Sequence, residues 1–129
     1  MVAALAAGPA ALVQAAAPVV NADAARIKNP VAANPASLAA GKKLFEEKCA
    51  PCHGTGGKGD GQAVGAEYGT KPADLTQPAL KHGSTDGELF HNIGEGIPPN
   101  YNMAPWADQI TDEQIWNIVN YLQKGLRKQ

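Results

Sequence analysis

Alternation of the kind that marks a β-strand is missing from this chain, and large side chains are scarce. Aromatic residues make up 5% of the 129 residues, and charged residues 18%, short of the quarter or so usual in globular domains. Neither sign of charge dominates. The 11 basic and 12 acidic residues leave a formal charge of −1, which argues against a surface built for nucleic-acid phosphates. The apolar start of the chain is mostly alanine, a weak membrane anchor, and is broken by Pro9 and Pro18, so no stable membrane span is expected. Many of the 14 glycines and 10 prolines fall in the first 35 residues and in 54–72. What remains is a short compact part with little apolar bulk. Domains of that kind need a disulfide, a metal or a cofactor to complete a core.

Residues 1–22 carry no charged side chain, and Asp23 is the first. Residues 1–17 read as the apolar part of a secretory signal, although no Lys or Arg precedes the run. Cleavage is expected after Ala15, because a cut after Ala17 would leave Pro18 directly beyond it. Residues 18–36 hold Pro18, Pro30 and Pro35 among Ala and Asn without a helical period, and read as a linker. The folded domain is then 37–129, outside the cytoplasm.

Ser37 is the expected cap of a first helix reaching to about Ala50, with Leu38, Gly41, Leu44 and Phe45 on one face. Thr85-Asp86-Gly87-Glu88 has capping-box spacing before Leu89, Phe90 and Ile93, and Thr111-Asp112-Glu113-Gln114 repeats it. After the second box, Ile115, Ile118, Val119, Leu122 and Leu126 form the strongest apolar stripe in the chain. Gly125 reads as its stop signal, with Lys124, Arg127 and Lys128 suited to the negative end of a helix. A short turn is expected between Asp74 and Lys81. The fold class is all-α with long loops.

Both cysteines lie in Cys49-Ala50-Pro51-Cys52-His53. Cys-x-x-Cys-His is the attachment signature of a c-type haem. Two sulfurs three residues apart at a helix end each reach one vinyl group of the same porphyrin, and the next imidazole is delivered beneath the ring to the iron. A redox dithiol would need a βαβ setting that a helical chain lacks. A zinc site from Cys49, Cys52, His82 and His91 would have 29 residues between the second Cys and the first His, far from finger spacing. A disulfide would close a tiny loop and stabilise little. One covalent haem c is the reading that uses every residue of the motif.

With His53 on one side of the iron, Met103 is the candidate for the other. It is the only methionine besides the initiator and lies 50 residues after His53, in the Pro-rich loop Pro98-Pro99-Asn100-Tyr101-Asn102-Met103-Ala104-Pro105-Trp106. A soft thioether favours ferrous iron and raises the potential. Gap-filling in the core is the other role open to Met103. His91 should face solvent from its helix and His82 should lie in a turn. Gly54-Thr55-Gly56-Gly57-Lys58-Gly59 matches the dinucleotide fingerprint letter for letter, but it follows a helix rather than a strand, so nucleotide binding is rejected.

On these residues the chain resembles class I c-type cytochromes, monohaem and bacterial in style, over residues 37–129. Gly41 and Phe45 before the Cys-x-x-Cys-His, the glycines after it, Met103 near a proline, and Trp116-x-Ile118-Val119-Asn120-Tyr121-Leu122 carry the resemblance. It departs at Ala104, which separates Met103 from Pro105 where the family often has Met-Pro directly. The resemblance implies a small fold of about four to five helices around one covalently attached haem. It implies that Gly41 and Phe45 meet Ile118 and Tyr121 where the first and last helices cross. It further implies that backbone near Pro72 accepts a hydrogen bond from His53, that Leu75 packs on the ring, and that Trp106 lies near the propionates, with Tyr101 also in the pocket. The implied function is one-electron transfer between extracytoplasmic redox proteins, by a free monomer or a subunit of a respiratory complex, with Lys42, Lys43, Lys48, Lys71 and Lys81 as surface charges. The rival is a haem enzyme or gas sensor whose distal ligand is displaced.

Overall fold

Four helical stretches make up the regular structure of the computed structural model, which describes residues 17–63 and 71–128. No strand occurs among the described residues. The apolar leader of residues 1–17 and its cleavage site lie outside the described residues, Ala17 excepted. A single turn, α1 (Ala22–Ala25), opens the described chain. Next comes α2 (Pro35–Leu44), which runs through a wide turn (Phe45–Cys49) into α3 (Ala50–His53). The remaining stretches are α4 (Asp86–Glu95) and α5 (Asp112–Asn120), the latter extended by a second wide turn, Tyr121–Leu126.

The two capping boxes do what their spacing requires. Thr85 accepts from the Glu88 amide while Glu88 reaches back to the Thr85 amide, and Thr111 and Gln114 repeat the exchange at α5. The first long helix starts earlier than Ser37. Asn34 caps it, accepting from the Ser37 amide at 2.9 Å, and Pro35 occupies the first turn, where a missing N–H costs nothing. Freed from capping, Ser37 is buried: its hydroxyl donates to Asn117 Oδ1 at 2.7 Å and accepts from Asn120 Nδ2 at 2.9 Å. At the far end, Gly125 lies inside the last wide turn, and the helix ends at Arg127 with Lys128 in the left-handed region (φ 56°).

Helix α2 lies across α5, and one glycine sets how closely. A Cβ on Gly41 would fall onto the Asn117 carbonyl oxygen and come within 2.9 Å of Tyr121 Cβ. Tyr121 is the expected partner, but the tightest contact is with Asn117 rather than Ile118. One turn further on, Phe45 meets Tyr121 with ring centroids 5.5 Å apart. Phe45, Ile115, Ile118 and Val119 are sealed from solvent, and Phe90 of α4 stacks on Trp116 of α5 at 4.0 Å. These side chains form one core between α2, α4 and α5.

The segment expected to be a loose linker packs onto that core. Asn21 caps α1, and the amides of Val20 and Asn21 both donate to Glu88 Oε2 at 2.8 Å. Asn29 Nδ2 donates to Asn120 Oδ1 at 2.8 Å, and Asn120 Nδ2 donates to the Val31 carbonyl at 3.0 Å. Gly87 leaves room for the Ala24 backbone, which a Cβ there would strike. Its lack of an apolar period misleads, because this segment is held by polar side chains far away in sequence rather than by a face of its own.

Candidate haem site

The helix carrying the motif ends where the chemistry begins. Gly54 (φ 80°) stops α3 directly after His53, a left-handed conformation that costs glycine little. Cys49 closes the wide turn and is half-buried, Cys52 is exposed in α3, and the two thiols are not bonded to each other. Burial above all, with Cys52 beside it, pushes the Cys49 thiol up to about 12 against the pull of Lys48. A redox dithiol needs the opposite shift.

His53 is half-buried, and its Nδ1 lies 3.1 Å from the Ala73 carbonyl. A carbonyl can only accept, so Nδ1 carries the proton and Nε2 is left with its lone pair. Burial draws the imidazole below its ordinary pKa, opposed by the Ala73 hydrogen bond. The acceptor thus lies one residue beyond Pro72. The Pro72 carbonyl instead faces Gly59, where a Cβ would collide with it. Leu75, half-buried, donates its amide to the Gly57 carbonyl at 2.6 Å. The glycine loop that mimics a nucleotide fingerprint therefore serves to bring residues 72–75 close to His53.

Met103 belongs to a loop folded back onto the end of α4. Its carbonyl accepts from the Ile97 amide at 3.0 Å, while Trp106 and Ala107 donate to Ile93 and Gly94 at 3.0 and 3.1 Å. A Cβ on Gly96 (φ 74°) would approach Met103 O and Pro105 N to 2.8 Å. Trp106 is half-buried with Lys48 Nζ 5.8 Å from its ring centroid, a cation–π contact, whereas Tyr101 is 49% exposed. His82 and His91 are both exposed.

Cys49, Leu75, Leu80, Phe90, Met103 and Trp106 all pack against the core while remaining partly open. The residues present suit a covalently held porphyrin: two unbonded sulfurs at the attachment spacing, a free imidazole nitrogen beside them, and an incompletely covered apolar fringe. A family model for cytochrome c matches residues 38–125. The chain belongs to the cytochrome c family.

The family match and the likeness to a small cytochrome c make it a class I c-type cytochrome, and its single Cys-x-x-Cys-His makes it monohaem, with one covalent haem c on Cys49 and Cys52 and haem-based electron transfer as its chemistry. The cytochrome is 33% identical over 89 residues to cytochrome c-554(547) of Halothiobacillus neapolitanus, covering 65% of this chain and 91% of that one. It is 40% identical over 84 residues to the Cbb3-type cytochrome c oxidase subunit FixP of Bradyrhizobium diazoefficiens, spanning 65% of this chain but 26% of the subunit. Among solved structures it resembles a chain of the Kuenenia stuttgartiensis reducing HAO-like protein complex, with a TM-score of 0.66 and 27% identity over 76% of this chain and 48% of that one. Cytochrome CL of Methylophaga aminisulfidivorans shares the fold at a TM-score of 0.56 and 20% identity, over 74% of this chain and 55% of that one. No helix among the described residues is long and apolar enough to cross a membrane.

Proposed function

We propose that the cytochrome carries single electrons between redox proteins outside the cytoplasmic membrane, with its iron held between His53 and Met103. The observation that carries this reading is the hydrogen bond from His53 Nδ1 to the Ala73 carbonyl. It fixes the tautomer, restrains the ring and makes Nε2 the better ligand. The bound haem supplies reversible one-electron chemistry between ferric and ferrous iron.

The protein's part is to keep both ligands still. His53 is tied to Ala73, and Met103 is carried on a loop closed by its own bond to Ile97 and tied to α4 through Trp106 and Ala107. Ligands that do not move between oxidation states keep rearrangement on each transfer small. Trp106, Leu75 and Phe90 add apolar cover, and Lys48 places a positive charge over the Trp106 ring. The likeness to an oxidase subunit, of which this chain spans 26%, supports a larger oxidoreductase as one of the partners. The uncharged start of the chain, with a c-type haem to be attached, supports export.

An optical redox titration of holoprotein matured with cytochrome c assembly machinery tests the reading. It should show one reversible one-electron transition and a low-spin ferric form with a weak far-red sulfur–iron band. A high-spin ferric form, or a ferrous form that binds carbon monoxide readily, would instead mark an open distal face and a haem enzyme or sensor.

A further inference from the structure

The guanidinium of Arg127 is buried at the end of the last helix, and backbone carbonyls supply most of its acceptors. Arg127 is 9% exposed, and burial draws its pKa below the usual arginine value while leaving it a cation. Its Nη1 donates to the carbonyls of Leu75 and Gln77 at 3.1 and 2.8 Å, and its Nη2 to that of Pro78 at 3.2 Å. The Nε donates to Gln123 Oε1 at 3.1 Å. Gln123 is itself fastened to the start of α4, donating to the Ser84 carbonyl at 2.9 Å and to Asp86 Oδ1 at 3.0 Å. A cation at a helix C-terminus needs none of this, since it can favour the dipole from solvent. Three carbonyls of one irregular loop gathered on one planar fork make a clamp instead.

The clamped loop is the one that holds His53. Ala73, acceptor of the His53 Nδ1 proton, stands two residues before Leu75, the first carbonyl of the clamp. Between them Asp74 accepts from the Thr76 amide and hydroxyl at 2.9 and 2.6 Å and from Gln77 Nε2 at 3.0 Å, which stiffens the short connection. The Leu75 amide bonds Gly57 from the other side. The loop has no helix or strand of its own; Leu75 and Leu80 rest on the core, and its polar backbone is tied to Gly57 on one side and to Arg127 on the other. The family match ends at residue 125, short of Arg127.

We propose that Arg127 is a positioning residue for the proximal imidazole: by clamping the 75–78 carbonyls it fixes the Ala73 carbonyl against His53 and so sets the basicity of that ligand. The inference rests on His53 as the iron ligand. A firm Nδ1–H bond gives the imidazole more anionic character and favours ferric iron. Loosening it raises the reduction potential. Removal of the cation would act in the opposite direction, so the informative variant keeps the charge.

The test uses Arg127→Lys and Arg127→Met as complete holoproteins, with imidazole-labelled histidine followed by NMR in the ferrous form. In Arg127→Lys the His53 Nδ1 proton should exchange at least tenfold faster than in the parent, and the midpoint potential should move upward. Arg127→Met should show the faster exchange too. Where Arg127→Met yields no folded holoprotein, Arg127→Lys carries the test alone. A loss of denaturant stability with unchanged proton exchange and unchanged potential would reduce Arg127 to a structural tie and overturn the inference. The parent protein separates the two levels. A His53 Nε2 without the shift of a metal-bound nitrogen overturns the ligand reading itself, whereas a bound His53 whose exchange ignores Arg127 overturns only the clamp.

Discussion

Gly41→Ala adds one methyl group at the crossing of α2 and α5, and the structure says it does not fit. The new Cβ would fall onto the Asn117 carbonyl oxygen and lie 2.9 Å from Tyr121 Cβ. One obstacle is backbone and the other is the stem of a packed side chain, so neither can rotate away. Overpacking of this kind costs about 1–3 kcal/mol, and an obstacle made of backbone puts the site at the upper end. Alanine recovers up to about 1 kcal/mol through helix propensity. The net expectation is about 2 kcal/mol of destabilisation, roughly a 30-fold loss in the folding equilibrium. In a domain of this size that lowers the melting temperature by on the order of 10 °C. Gly94 supplies the control within the same fold. It is also buried in a helix, but its added Cβ would sit at ordinary distances, 3.7 Å from Ile115 Cδ1 and 3.9 Å from Ala107 Cβ. Gly94→Ala should therefore be neutral or stabilising by up to about 1 kcal/mol. Guanidinium unfolding of the two ferric holoproteins, followed by tryptophan fluorescence, compares them directly. Equal midpoints would refute the claim that contact with Asn117 sets the helix crossing.

Two further outcomes follow from the remaining polar and ligand contacts. Met103→Ala should keep its haem through Cys49 and Cys52, lose the far-red band, lower the potential and admit exogenous ligands; an unchanged spectrum would remove Met103 from the iron. Glu88 is fully buried, and although desolvation pushes its pKa up, hydrogen bonds from Asn21, Val20 and Thr85 outweigh it and leave the carboxyl below its ordinary value. Its contribution is thus complete above the unfolded carboxylate pKa of about 4.3 and fades as pH falls through the lower folded value. Glu88→Gln puts an amide among donors that need an acceptor and should cost about 2–4 kcal/mol at pH 7, with the gap to the parent closing below about pH 4. A gap that stays constant in denaturation curves from pH 7 to pH 3 would show that the charge plays no part.

The starts of α4 and α5 are legible from local chemistry alone, whereas the end of α5 is not, since the helix runs past Gly125. Thr85 with Glu88, and Thr111 with Gln114, act over three residues, and the stripe from Ile115 to Leu126 needs only the helical repeat. The cap of α2 was legible in principle, because Asn34 before Pro35 is a start signal in its own right. Ser37 offers the same capping chemistry three residues on, yet its hydroxyl is engaged 80 residues away at Asn117. The packing of residues 20–34 was not legible. Its partners are Glu88, Trp116 and Asn120, and no periodicity within the segment points to them.

Sequence by itself determined the haem attachment, since Cys49, Cys52 and His53 are neighbours on one turn of chain and their spacing is already their geometry. It also determined an all-helical class, because caps and apolar stripes are local. Only the tertiary structure decided that Ala73 is the carbonyl meeting His53, that Gly41 rests on Asn117, and that Arg127 grips the 75–78 loop. Each of those contacts joins residues 20 to 76 positions apart through a hydrogen bond or a close approach. No local pattern encodes such a pairing; it exists only once the core between α2, α4 and α5 has brought the segments together.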